Sequence, residues 1–311
     1  MKPREGTTGL IGIGLVGTVL AEHLLAHGHA VTGYDIEPAA CERLRQLGGH
    51  AVDSVRAVAE AADCLFLSLP DSGVVREILE GDVGVLGARR VPRYVIDTTT
   101  GDPTETIARA ESLSRQGGTL LEATICGSSG QLRRRQAVLM VGGERRAFEA
   151  CRGRIDLLAE RVFYVGPSGS GSKIKLATNL VLGLNRLVLA EGLVFAEKLG
   201  LDLETFLGVL KAGPSYSAAM DVKGEKMVKG DFAPESRIRQ HHKDVSLMLK
   251  YGNNSRQDLP LSRVHFDILA QAIAAGDGEL DTSAVIQEIR RRRASQAQSG
   301  KQDPDRKEER S

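Results

Sequence analysis

What this 311-residue chain lacks narrows it first. No charge of one sign is in excess. Lys and Arg number 41 against 40 Asp and Glu, a formal net charge of +1, so bulk electrostatics recruit neither nucleic acid nor a membrane surface. Cysteine is scarce: Cys41, Cys64, Cys126 and Cys151 show neither CxxC spacing nor a paired framework, as expected of reduced thiols in a cytosol. No His/Cys/carboxylate cluster falls at metal-ligand spacing, so no metal is expected. The apolar run from Leu10 to Val31 is cut by glycines and by Glu22, His23, His27 and His29. Such a run is neither a signal peptide nor a membrane span, and a cytoplasmic location is the expectation. There is no internal repeat. Arg290 to Arg293 look like a nucleic-acid patch, but they are read as a solvated helix end, because cations suit that end of the dipole.

What remains is an ordinary globular composition, 41% hydrophobic and 26% charged, with length for two domains. Thr7 to Ile13 reads as a buried strand that runs into Gly12-Ile13-Gly14-Leu15-Val16-Gly17. In a dinucleotide fold, Gly12 makes the tight turn, Gly14 lets the backbone approach a pyrophosphate, and Gly17 seats the helix on the strand. Ile13, Leu15 and Val16 lie within the same cradle. The context fits, with an amphipathic helix (Val19 to His27) and then a second strand, Ala30 to Asp35. Asp35 lies 18 residues past Gly17, where a carboxylate accepts ribose hydroxyls. A nucleotide methyl donor is the competing ligand for such a turn, and a strand-end turn residue is the plain alternative for Asp35. Asp35 would repel a 2′-phosphate and Ile36 offers no guanidinium, which favours NAD over NADP.

The βα alternation continues, with strands at His50–Val52, Cys64–Leu69, Tyr94–Asp97, Thr119–Thr124, Ala137–Val141 and Val162–Val165. Ligands bind at the carboxyl ends of such strands, so Leu69, Pro70, Val74 and Thr100 are candidate cofactor-wall residues. Gly166-Pro167-Ser168-Gly169 is a turn cluster after which the alternation stops. The expected fold is therefore α/β. A Rossmann domain of doubly wound sheet (1–166) precedes an all-α domain (167–294) built on a long helix from Ser172 to Lys198, and 295–311 is a disordered tail. Further helices are expected at Leu203–Ala212, Arg239–Tyr251, Leu261–Ala275 and Thr282–Arg293. In the long helix Lys175 and Asn179 share a face, whereas Lys173 is rotated about 200° away. Read plainly, Lys175 is an exposed surface lysine; paired with Asn179 it can hold a substrate hydroxyl or carbonyl.

Taken together, the Gly12–Gly17 turn, the turn at Cys126 to Gly130, the Lys175 helix, Lys243-Asp244 and Gly278 to Ala284 resemble the β-hydroxyacid dehydrogenase family from Thr8 to about Ala284. The resemblance implies an NAD(P)-dependent oxidoreductase that interconverts a small β-hydroxy acid and its semialdehyde or keto form. It implies Lys175 as the catalytic acid/base and Asn179 as the residue orienting the substrate. Leu69, Pro70, Thr100 and Lys243 would touch the nicotinamide cofactor, and Cys126, Gly127 and Ser128 would receive the substrate carboxylate. It also implies a homodimer or homotetramer through the long helix. The chain departs from the family in three places. Cys126-Gly127-Ser128 replaces serine-glycine-glycine, Gln131 and Leu132 replace glycine and alanine, and Thr178-Asn179 replaces an asparagine pair. An imine reductase resembles this family but usually has aspartate or tyrosine at position 175. A non-catalytic dinucleotide-binding module is the reading from another class.

Overall fold

A computed structural model describes residues 6–299. Its first half is one eight-stranded sheet in the order β3-β2-β1-β4-β5-β6-β7-β8. The strands are β1 (Thr8–Ile11), β2 (Val31–Tyr34), β3 (His50–Ala51), β4 (Cys64–Leu67), β5 (Tyr94–Asp97), β6 (Thr119–Cys126), β7 (Val138–Gly143) and β8 (Arg161–Gly166). Neighbours pair parallel, except that β6 and β7 are antiparallel. Helices cover both faces, so the central strands read as continuous apolar runs; Leu10, Leu65 and Phe66 are fully buried. The chain leaves β1 toward β2 on one side and returns to β4 on the other, and in sheets of this kind ligands bind at that reversal, beyond the strands' carboxyl ends.

Helix boundaries differ from expectation where local chemistry outweighs periodicity. Helix α1 (Leu15–Ala26) starts inside the glycine turn, four residues earlier than the apolar pattern suggests. Helices α2 (Pro38–Gln46), α3 (Val55–Ala61) and α4 (Ser72–Glu80) follow. The next helix, α5 (Pro103–Arg115), escaped the sequence reading. Its start signal was present: Asp102 accepts the Thr104 and Glu105 amides, and Pro103 sits at the first helical position. The short α6 (Ser129–Arg133) and then α7 (Arg145–Ile155) complete this half.

The long helix, α8, spans Ser170–Lys198, 29 residues. By length and composition it could cross a membrane, but half of its apolar window is buried inside the protein, as in a core helix. The chain divides into two compact units between Thr178 and Asn179, inside this helix and not at the Gly166–Gly169 turn. The first turns of α8 are stitched to β6. The buried Glu122 carboxylate accepts the Gly169 amide and, at 2.6 Å, the Ser172 amide. Thr124 Oγ1 donates to the Gly171 carbonyl at 3.0 Å. Burial raises the Glu122 pKa, and those amide donors pull against it.

The second unit is helical. It contains α9 (Leu203–Ala212), a π turn at Met220–Gly224 leading into α10 (Glu225–Lys229), α11 (Ile238–Asn254), α12 (Pro260–Ala274) and α13 (Val285–Ser299). Its closing segment is pinned by Asp281, fully buried, which accepts from Lys223 Nζ (2.9 Å) and from the amides of Glu235, Ser236 and Ser283. Burial pushes the Asp281 pKa up, but Lys223 and the Ser283 amide outweigh it and the net direction is down. Of the expected disordered tail, 295–299 continue α13, because no glycine or proline intervenes before Gly300. Residues 300–311 lie outside the described residues.

Candidate active site

In the glycine turn the three glycines have separable roles. A Cβ on Gly12 would stand 2.2 Å from the Ser68 carbonyl oxygen, and one on Gly17 would stand 1.9 Å from the Gly12 carbonyl oxygen. Those two close the turn onto the strand and the helix. A Cβ on Gly14 would meet nothing within 4 Å, so that position faces open space, where a ligand's backbone-hugging group fits. Helix α1 begins there without a side-chain cap, and Leu15 is exposed. Its first N–H groups and dipole suit a pyrophosphate. Helix α4 differs: Asp71 caps it at the Val74 amide, 3.0 Å, so that amide is not spare for a ligand.

Asp35 directly follows β2, with one carboxylate oxygen accepting the Ile13 amide at 2.5 Å and the other accepting the Glu37 amide at 2.9 Å. The carboxylate is thereby fixed at the mouth of the turn with lone pairs left for ribose hydroxyls. Arg43 on α2 donates to the Ile13 carbonyl at 3.2 Å, a contact the sequence reading missed. The loops after β4 and β5 are tied together: the Leu69 amide donates to Thr99 Oγ1 at 3.2 Å, and Asp97 accepts the Thr99 amide at 2.9 Å. That bracing holds Leu69, Pro70 and Thr100 at the strand ends. Burial pushes the Asp97 carboxyl up to about 6, against the pull of the Thr99 hydrogen bonds. These residues fit a nicotinamide dinucleotide.

Lys175 is 7% exposed, while Lys173 is exposed. The Lys175 ammonium donates to the Ile125 carbonyl, one residue before Cys126. Lys175 and the Cys126–Ser128 turn thus adjoin within the first unit. That turn is built differently from the expectation. Gly127 holds φ +147, a conformation that glycine permits. The Ser128 amide donates to Gln131 Oε1 at 2.9 Å, and the Gln131 amide returns a bond to Ser128 Oγ, forming a capping box. The Ser128 amide expected to meet a substrate carboxylate is therefore engaged within its own turn. Gln131, noted in the sequence only as a departure, is the cause.

In the helical unit Asn179 is buried and donates from Nδ2 to Asp244 at 3.0 Å. This bond fixes the carboxamide so that its oxygen faces away from Asp244. Lys243 pairs with the same carboxylate at 3.2 Å. Among the described residues no group of three or more His, Cys, Asp or Glu comes together as a metal site.

Residues 7–166 match the family model for the NAD binding domain of 6-phosphogluconate dehydrogenase. Residues 169–289 match that for the NAD-binding domain of NADP-dependent 3-hydroxyisobutyrate dehydrogenase. A 2-hydroxy-3-oxopropionate reductase of Escherichia coli (strain K12) is 32% identical over 281 residues, 90% of this chain and 96% of that protein. The chain belongs to the β-hydroxyacid dehydrogenase family. Within it, a 2-(hydroxymethyl)glutarate dehydrogenase of Eubacterium barkeri is also 32% identical, over 89% of this chain and 93% of its own length. The solved 3-hydroxyisobutyrate dehydrogenase of Salmonella typhimurium superposes with a TM-score of 0.83 at 26% identity, covering 91% of this chain and 99% of that one. This β-hydroxyacid dehydrogenase is thus an oxidoreductase that binds a nicotinamide dinucleotide, and its Rossmann sheet and helical second half are those of the family.

Proposed function

We propose that this enzyme oxidises a small β-hydroxy acid to its semialdehyde or keto form and reverses that reaction, with NAD as the preferred cofactor and Lys175 as acid/base. The reading rests on one observation above the rest: Lys175 is buried against the Ile125 carbonyl beside the Cys126–Ser128 turn, while Lys173, two residues away, is exposed. When bound, the dinucleotide supplies or accepts the hydride at the carbinol carbon. Lys175 manages the accompanying proton. As an ammonium it donates to the oxygen of the carbonyl being reduced; as an amine it takes the hydroxyl proton during oxidation. Asn179, its amide direction set by Asp244, presents its carbonyl oxygen to the substrate hydroxyl. Lys243 serves the cofactor. The Gly127 backbone and the Cys126 thiol receive the carboxylate, the thiol more weakly than a serine hydroxyl would.

NAD is preferred because Asp35 meets a 2′-phosphate with like charge. The enzyme works in the cytoplasm as a homodimer or homotetramer. On α8, Val181, Val188 and Phe195 recur at seven-residue steps and are 57%, 67% and 64% exposed, an apolar stripe of the kind a second copy covers. The experiment is an NAD⁺-reduction screen over 3-hydroxyisobutyrate, D-glycerate, L-serine, 3-hydroxypropionate, threonate and a 2-(hydroxymethyl) dicarboxylate. Turnover of at least one of these supports the reading. Tight NADH binding without turnover on any alcohol, or on the corresponding semialdehydes, would favour a dinucleotide-binding module instead.

A further inference from the structure

The guanidinium of Arg43 stands at the cofactor turn with no assigned work. It reaches back from α2 to donate to the Ile13 carbonyl, while Asp35 accepts the amide of that same residue. A carboxylate and a guanidinium therefore flank one residue of the glycine turn. Since the N and O of one residue lie about 3–4 Å apart, the two charged groups are within roughly 9 Å of each other. Among the described residues Arg43 pairs with no carboxylate, and its side chain is exposed. The neighbouring acids are otherwise engaged or turned outward: Glu42 pairs with Arg45 at 3.3 Å, and Glu37 is exposed and meets Asp35 through its backbone amide.

Arg43 can leave the Ile13 carbonyl at little cost, because Thr18 Oγ1 donates to that same oxygen at 3.2 Å. The carbonyl then stays satisfied, and the penalty of an orphaned acceptor does not arise. An exposed arginine held by one neutral acceptor gains from a dianion, which its planar fork grips through two charge-assisted bonds. We propose that Arg43 reads the 2′ position of the adenosine ribose and swings onto a 2′-phosphate when one is present, so that NADP is used alongside NAD in spite of Asp35. The inference rests on the dinucleotide reading of the glycine turn and adds the residue that governs the choice of cofactor.

The test uses fragments, so it does not depend on turnover. Adenosine 2′,5′-bisphosphate and 5′-AMP differ only in the 2′-phosphate, and calorimetric titration of both into the parent, Arg43→Ala and Arg43→Lys isolates that group. Arg43→Ala is expected to weaken the bisphosphate about tenfold or more, the worth of a charge-assisted contact, with 5′-AMP kept within about twofold. Arg43→Lys should retain most of the bisphosphate affinity, because the positive charge remains. NADPH and NADH fluorescence titrations should repeat the pattern. Equal losses for both fragments would assign Arg43 to the adenine or to support of the turn, and no loss for either would leave it without a role; each overturns the proposal. So would a parent that binds 5′-AMP but refuses the bisphosphate. A parent that binds neither fragment nor dinucleotide would bring down the dinucleotide reading itself.

Discussion

Replacing Lys175 with methionine removes the ammonium and keeps most of the apolar stem. If Lys175 moves the proton, kcat in either direction should fall about 10²–10⁴-fold, the usual contribution of a positioned proton-transfer group, which is roughly 3–5 kcal/mol of transition-state stabilisation. The structure also sets what should happen to the fold. The lost donor leaves the Ile125 carbonyl without its ammonium partner, a penalty of about 1–3 kcal/mol for a buried acceptor. Against this, a 7% exposed charge no longer needs desolvation. The two effects oppose, so the melting temperature should move little compared with the loss of rate. The measurement is steady-state kcat at saturating NADH and semialdehyde, with NADH affinity by fluorescence and Tm by differential scanning calorimetry on the same samples. NADH affinity should hold within a few-fold, because the glycine turn and Asp35 lie elsewhere in the sheet. Lys173→Ala is the control and should stay within a few-fold of the parent. A folded, NADH-binding Lys175→Met enzyme with near-parent kcat on its best substrate would refute the assignment.

Other consequences can be checked separately. NAD should give a higher kcat/KM than NADP, and Asp35→Ser with Ile36→Arg should move the ratio toward NADP; a parent preferring NADP tenfold or more contradicts the role given to Asp35. Asn179→Ala should raise KM and lower kcat together, and Asp244→Asn should do the same more mildly; a pure kcat effect in either would argue against positioning. The Asp97 carboxyl, moved from 3.8 to about 6, binds its proton more tightly in the folded chain. Its stabilisation is therefore complete below about pH 4 and is lost as pH rises through 6, by about 3 kcal/mol in order of magnitude. Asp97→Asn should remove that slope, so the Tm difference, variant minus parent, should grow between pH 4 and 7; a constant difference would show that the group is not shifted. If α8 forms the proposed subunit interface, Val188→Asp on its exposed stripe should yield a monomer in light scattering, and a parent that is already monomeric at micromolar concentration rules the assembly out.

Much of the molecule could be read directly because its signals are local. Gly12 and Gly17 announce a turn that leaves no room for a Cβ, Gly14 leaves open space between them, and a strand such as Cys64–Leu67, buried on both faces, leaves an unbroken apolar run. Lys175 and Asn179 were separable from Lys173 because helical spacing fixes which side chains share a face, and the structure buries the first two. What escaped was of two kinds. Short elements such as α6, α10 and the π turn at Met220–Gly224 have too few residues to show a period, and α5 was passed over although Asp102-Pro103 marks its start. The contacts of Gln131 with Ser128, Arg43 with Ile13 and Asn179 with Asp244 join residues whose partnership depends on where the backbone has already been placed. Arg43 lies 30 residues from its partner, and no spacing rule connects them. Ile36 offers no guanidinium beside Asp35, and the arginine that does reach the glycine turn comes from the adjoining helix.

The bonds from Glu122 to the start of α8 determine where this protein could be cut or recombined. A chain ending at Gly166, the domain boundary read from the sequence, would keep a buried carboxylate and discard the Gly169 and Ser172 amides that hydrogen-bond to it. Ending it after Thr178 keeps those donors, and keeps Lys175 on the Ile125 carbonyl as well. The smallest portable nucleotide-binding module therefore carries more than two turns of the neighbouring helix with it, Lys175 included. An exchange of the helical half between two such enzymes, in the laboratory or in evolution, would best be spliced in mid-helix. It could then replace the helical unit while leaving Lys175 with the sheet that seats it.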